Sequence, residues 1–264
     1  MKTFTKSLSG LLSASALAIG LAVTASPAVA QIAGSVHDMS VLAGAGTNQI
    51  CVFCHTPHGS ADVVGAPLWN KTLTNTAASY TVYVSATMQA GGGTGSVGAV
   101  SLACLSCHDG TQARNNTINA PGSGQGSGTT GTLGFIPGGI VNLGLNLGND
   151  HPIGIAFCGG DTAGAGNIAD VFTLGLTSCA DKDFNAARVG NVGTNYWINY
   201  GVDDNNVQQK YDFPLYGTGE VECATCHDPH LGTGVNPVNG LATVTLLRAG
   251  NNAASQVCLT CHSK

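Results

Sequence analysis

A mostly irregular fold, with short helices at four cysteine motifs and few short strands, is what three observations predict for this chain. Glycine makes up 38 of 264 residues and the apolar runs are short, so the polypeptide alone supplies little core. Charged residues are only 9% of the chain, against roughly 25% in ordinary domains. The third observation is the pattern C-x-x-C-H, found at Cys51/Cys54/His55, Cys104/Cys107/His108, Cys223/Cys226/His227 and Cys258/Cys261/His262.

In this pattern two thiols and an imidazole follow one face of a helical turn. The thiols can add across the two vinyl groups of one haem, and the His then sits under its iron as proximal ligand. Two C-x-x-C pairs also make a tetrahedral zinc site, but such a site gives no reason for His at the same next position four times over. The predicted class is therefore a multihaem c-type cytochrome, its core built on a stack of four covalently bound haem c groups.

The remaining histidines sharpen this. The chain has 8 His, and the four outside the motifs are His37, His58, His151 and His230. Four irons with both axial positions filled need four distal ligands, so none is left over and none is missing. For any one of these histidines the plain alternative is a solvated or core-satisfied side chain. His58 lies too close to His55 along the chain to reach the far side of the same iron. We expect His58 and His230 each to serve the second haem of its own half.

The chain begins with Lys2 and Lys6, an apolar run from about Leu11 to Val23, and Ala28-Val29-Ala30 before Gln31. This reads as a secretory signal peptide, residues 1–30, with an A-x-A cleavage site. The run is shorter than the roughly 20 residues a membrane span needs, and no later stretch is apolar enough to cross a bilayer. The remainder, 31–264, is expected to be a single tetrahaem domain, secreted to the extracellular space or cell surface; the alternative is the periplasm. Losing Lys2 and Lys6 leaves 7 of the 9 Lys and Arg against 14 Asp and Glu, a formal charge of −7. Such a surface argues against nucleic acid as a partner.

Two halves repeat one plan. Cys223-Ala224-Thr225-Cys226-His227-Asp228-Pro229-His230 matches Cys51 to His58, and Cys258 to His262 matches Cys104 to His108. Each dihaem half, 31–148 and 149–264, runs from an upstream His (His37, His151) through C-x-x-C-H-x-P-H to C-L-x-C-H. Residues 156–222 form an insert read as loops and a hairpin, and residues 120–131 read as a surface loop rich in Gly, Ser, Pro and Thr. Phe53 and Trp69 are expected to pack on haem. Cys158 and Cys179 stand outside the motifs. In an oxidising compartment they most simply form a disulfide, the alternative being two free thiols.

Taken together, SVHDMS (35–40), CVFCHTPHG (51–59), APLWN (66–70), CLSCHDG (104–110), NDHPIG (149–154), CATCHDPH (223–230) and CLTCH (258–262) resemble the extracellular tetrahaem nanowire cytochromes of the OmcE type. The resemblance covers the motifs in most of the mature chain, while residues 111–148 and 160–222 match only in layout. It implies four bis-His haems in a nearly continuous stack, a polymerising subunit, and one axial His lent by a neighbour.

Irons filled on both sides have no site for substrate, so the expected function is electron transfer and not catalysis. The leading expectation is a subunit of an extracellular cytochrome filament, a head-to-tail homopolymer exchanging electrons with other redox proteins or extracellular acceptors. His37, on a leader near the mature terminus, is favoured as the lent ligand, with ligation in its own chain as the competing reading. A monomeric periplasmic shuttle and a multihaem reductase with one open haem are the alternatives.

Overall fold

The structure is a computed structural model that describes residues 32–62, 65–88, 95–122, 128–129, 131–160, 180–185, 187–189, 196–200, 208–231, 246–249 and 255–263. The chain divides into two units, Met1–Ala30 and Gln31–Lys264. The first, with the expected signal peptide, lies outside the described residues. Among the described residues no helix is long and apolar enough to cross a membrane.

Irregular backbone dominates, because the sequence interrupts nearly every apolar run with Gly or Pro. Among the described residues the helices are α1 (Ala99–His108), α2 (Cys223–Cys226) and α3 (Gln256–Cys261), with 3-10 turns at Met39–Val41, Ile50–Phe53, Ala77–Ser79 and Phe157–Gly159. All three α-helices and the turn at Ile50–Phe53 carry a C-x-x-C-H motif. Helix α1 ends just after His108, where Asp109 is the C-cap and Gly110 takes a φ of +73°. A left-handed residue at that position is the usual device that stops a helix.

The strands are β1 (Asn116–Thr117), β2 (Gly128–Thr129), β3 (Ile155–Ala156), β4 (Ala187–Val189), β5 (Tyr196–Ile198), β6 (Phe213–Leu215) and β7 (Glu220–Val221). β1 pairs with β2 and β3 with β7, while β4, β5 and β6 form a three-stranded sheet; every pairing is antiparallel.

Two expectations are corrected here. Part of the 120–131 tract is β2, paired with β1, because a polar, Gly-rich segment can still satisfy its backbone on a neighbouring strand. The insert is also more than loops and a hairpin. Tyr196, Ile198, Phe213 and Leu215 are buried with Phe157, Cys158, Val221 and Ala249 in the largest apolar cluster. Phe184, Val257, Cys226 and Cys261 pack on that cluster, so the sheet of the insert supports the third and fourth motifs.

Elsewhere the core is thin. One cluster joins Met39, Ala45, Phe53 and Leu133, and another joins Tyr80, Val97, Leu105 and Leu147. Meanwhile Ile140 is 96% exposed, and Phe135, Val141 and Leu145 beside it are exposed as well.

Candidate metal centres

Each motif closes the same turn. The N–H of His55, His227 and His262 donates to the carbonyl of the first cysteine of its motif, at 2.8, 3.0 and 2.8 Å, while the second motif lies wholly within α1. Both thiols and the imidazole thereby leave one side of the backbone, as the spacing requires.

A clamp holds the first motif. Asn70, fully buried, donates through Nδ2 to the carbonyls of Val52 (2.6 Å) and Asn119 (3.0 Å) and accepts from the Asn119 N–H (2.9 Å). Its own N–H donates to the Cys54 carbonyl at 2.8 Å. The loop so fixed presents the Pro67 carbonyl to His55 Nδ1 at 2.8 Å, and the Val141 carbonyl meets His108 Nδ1 at the same distance. A carbonyl can only accept, so in both rings Nδ1 carries the proton and Nε2 keeps a free lone pair. That tautomer is the one a metal-binding histidine needs.

The second and third motifs are joined through Glu222. Its carboxyl accepts from the Gly98 N–H (3.0 Å) at the start of α1 and from Ser101 Oγ, and Ser101 Oγ in turn accepts from the Cys223 N–H at 2.9 Å. Burial pushes Glu222 up to about 7, against the opposing pull of the Ser101 and Gly98 hydrogen bonds.

The thiols show that the motifs follow one another in space as in sequence. After burial, Cys107 is the largest influence raising Cys54, which reaches about 12. Cys104 is in hydrogen-bond contact with Cys223, which raises Cys104 and lowers Cys223. Burial and then Cys226 push Cys261 up to about 12. The thiols of each motif thus act electrostatically on those of the next. Among the described residues no three His, Cys, Asp or Glu side chains gather as a donor set for one ion.

The imidazoles instead come in twos. The ring centres of His55 and His230 lie 6.1 Å apart with planes 18° from parallel. Those of His37 and His108 lie 6.0 Å apart at 74°. With metal–nitrogen bonds of about 2 Å and about 1 Å more from nitrogen to ring centre, two imidazoles on opposite sides of one metal have centres about 6 Å apart. Direct ring stacking would bring them closer. Both pairs therefore have the spacing of trans axial ligands. His262 is lowered by burial and then by His151, which places those two rings in one neighbourhood. His37 is lowered to about 4, by burial first and then by His108, and its Nδ1 is buried without a hydrogen-bond partner.

One expectation differs from this placement. His230 faces His55 of the first motif and not the second haem site of its own half. His37, partly buried, lies against His108 of its own chain. His58 is exposed, and its ring meets no other ring among the described residues. Phe53 is fully buried, but in the small cluster with Met39, Ala45 and Leu133. Trp69 stands edge-on to His55 at 6.1 Å. Cys158 is disulfide-bonded and the eight motif cysteines are free thiols; the expected partner, Cys179, lies outside the described residues. Asn70, Lys71, Asp109 and Glu222 drew no attention in the sequence, since nothing in their local sequence marks them as buried.

No protein-family model matches this chain, and no curated protein matches it either.

Proposed function

We propose that this protein is an exported tetrahaem c-type cytochrome that moves electrons along a row of four haems and assembles with copies of itself into a filament. The observation that carries the reading is the pairing of His55 with His230 and of His37 with His108 at the spacing of axial ligands, beside thiols set one turn apart. The haem supplies the one-electron redox chemistry, and the chain supplies spacing, ligation and a dry surrounding. His55 and His108 offer Nε2 because Pro67 and Val141 hold their Nδ1 protons. The unbroken neighbour order of the four motifs suits transfer from one end of the row to the other.

Self-assembly rests on two features. His58 is exposed and its ring meets no other ring among the described residues, and we assign it, in place of His37, as the ligand offered to a neighbouring subunit. The exposed apolar residues from Phe135 to Leu145 supply surface that association would bury.

The test is to purify the exported protein, count its haems by the pyridine haemochrome assay, and image it by cryo-microscopy. Four haems and filaments are expected. Four haems on a dispersed monomer would leave the shuttle or the reductase, and no haem would end the reading.

A further inference from the structure

The two imidazoles of the His37–His108 pair are not held alike. His108 closes α1, its Nδ1–H is accepted by the Val141 carbonyl at 2.8 Å, and its own carbonyl accepts from the Leu143 N–H at 2.7 Å. His37 Nδ1 is buried and has no hydrogen-bond partner. A nitrogen closed off in this way cannot meet an iron, so in an axial pair Nε2 is the ligating atom and Nδ1 carries the ring proton. That proton meets no acceptor. A metal-binding histidine ordinarily gives its second N–H to a carbonyl, carboxylate or water, and loss of that partner weakens ligation by about 10–100-fold. The penalty is relieved once the ring swings out into water.

The segment that carries His37 is built to make that movement. Among the described residues, every hydrogen bond of residues 32–41 ends within 32–42. The Ser35, Asp38 and Leu42 N–H groups donate to the Ile32, Ser35 and Met39 carbonyls, the Gly34 N–H and Ser40 Oγ to the Asp38 carboxylate, and the His37 N–H to Ser35 Oγ. Val36, Val41 and Leu42 are exposed, and Met39 is the side chain by which the segment joins a core cluster. The backbone tie to the rest of the fold comes only at Gly44, whose carbonyl accepts from the Thr132 N–H at 2.6 Å. Gly44 and Gly46 take φ of +88° and +71°, so a joint of two glycines follows the segment. The piece bearing His37 can therefore lift as a unit without breaking a hydrogen bond to the body of the protein.

We infer that His37 is an exchangeable ligand, and that the haem on Cys104/Cys107 is a binding site for a small exogenous axial ligand of the cyanide or carbon monoxide kind. The inference rests on the tetrahaem reading above. In the exchange the iron–nitrogen bond to His37 breaks, the imidazole leaves as a neutral group, and the donor atom of the incoming ligand bonds to the same face of the iron. No electron is transferred. His108, fixed by Val141 and Leu143, stays in place on the other face.

The experiment is a cyanide titration of the oxidised, haem-loaded protein followed by electron paramagnetic resonance. The crossed rings of His37 and His108 give the haem between them a low-spin signal of large maximum g, separable from the rhombic signal of nearly parallel rings. His37→Ala identifies this signal by removing it, and His37→Met, which keeps a ligand at the position, serves where the Ala variant loads fewer than four haems. In the unmodified protein the same signal should disappear at cyanide concentrations about tenfold or more below those that alter the rhombic signal of the His55–His230 haem. Loss of the rhombic signal first, loss of both together, or no response of the large-g signal would show that His37 is held as firmly as His230 and would overturn the inference. Four haems with no large-g signal would remove the His37–His108 pairing, and absence of haem would remove the tetrahaem reading itself.

Discussion

His55 and His230 face each other at 6.1 Å with planes 18° apart, although they belong to opposite halves of the repeat. His37 and His108 sit at nearly the same separation but at 74°. On the proposed reading the two pairs are axial ligands, and since the angle between axial imidazole planes governs the splitting of the iron d orbitals, their spectra should differ. The oxidised protein should show both a rhombic low-spin signal and one of large maximum g. The His230→Ala variant should lose the rhombic signal of the first-motif haem and gain one high-spin haem. Loss of the large-g signal instead would place His230 on the second motif.

Glu222 makes stability depend on pH. Its folded-state value of about 7 lies above the ordinary 4.5, so the folded chain keeps a proton that the unfolded chain releases. The resulting stabilisation is complete below about pH 4.5 and is lost as pH rises to about 7. Denaturant midpoints of the haem-loaded protein should fall across this window, and Glu222→Gln should flatten the fall. A slope that persists in the Gln variant would assign it to another group.

Asn70 braces the first motif. Replacing it with Ala strands the Val52 and Asn119 carbonyls and the Asn119 N–H in a buried position, at about 1–3 kcal/mol for each group left unsatisfied. A drop of about 3 kcal/mol is expected in thermal or denaturant unfolding, together with weaker low-spin character at the first-motif haem. A change under about 0.5 kcal/mol, the range of ordinary surface substitutions, would mean the clamp is dispensable.

His58 separates assembly from ligation within the subunit. His58→Ala should abolish filaments in cryo-micrographs while both paired signals above survive. His37→Ala should act inside the subunit, costing the large-g signal. If His37→Ala disperses filaments and His58→Ala does not, the assignment is reversed.

A chain lacking the eight motif cysteines should be largely unfolded by circular dichroism, since the polypeptide core is three separate clusters and two of them have only four buried members each. A cooperative transition like that of the haem-loaded protein would contradict this.

The local turns of the motifs were legible in the sequence, and the long-range geometry was not. C-x-x-C-H carries its meaning in five adjacent residues, so all four motif turns could be placed, and counting singled out His37, His58, His151 and His230. Which ring faces which depends on how an x-P-H turn leaves α2, and no spacing encodes that. The repeat even misled, because it suggested that each half completes itself, whereas His230 crosses to His55. The 156–222 insert looked peripheral because its strands are three residues or shorter. Their partners and the apolar face they build with Phe157 and Val221 appear only on folding. Lys71 and Glu222 are buried, and nothing in their local sequence marks them so.

The crossing of His230 to His55 also bears on how the protein is made. On the proposed reading the chain is exported from its N-terminus, and His55 and its two cysteines reach the oxidising side long before His230 follows. On the proposed reading, a haem attached there early spends that interval with one axial face bare and open to dioxygen or to a wrong histidine. His58, the nearest free imidazole along the chain, cannot fill the gap, being too close to His55 to reach the opposite face. The first site would therefore stay half-finished until most of the chain has emerged.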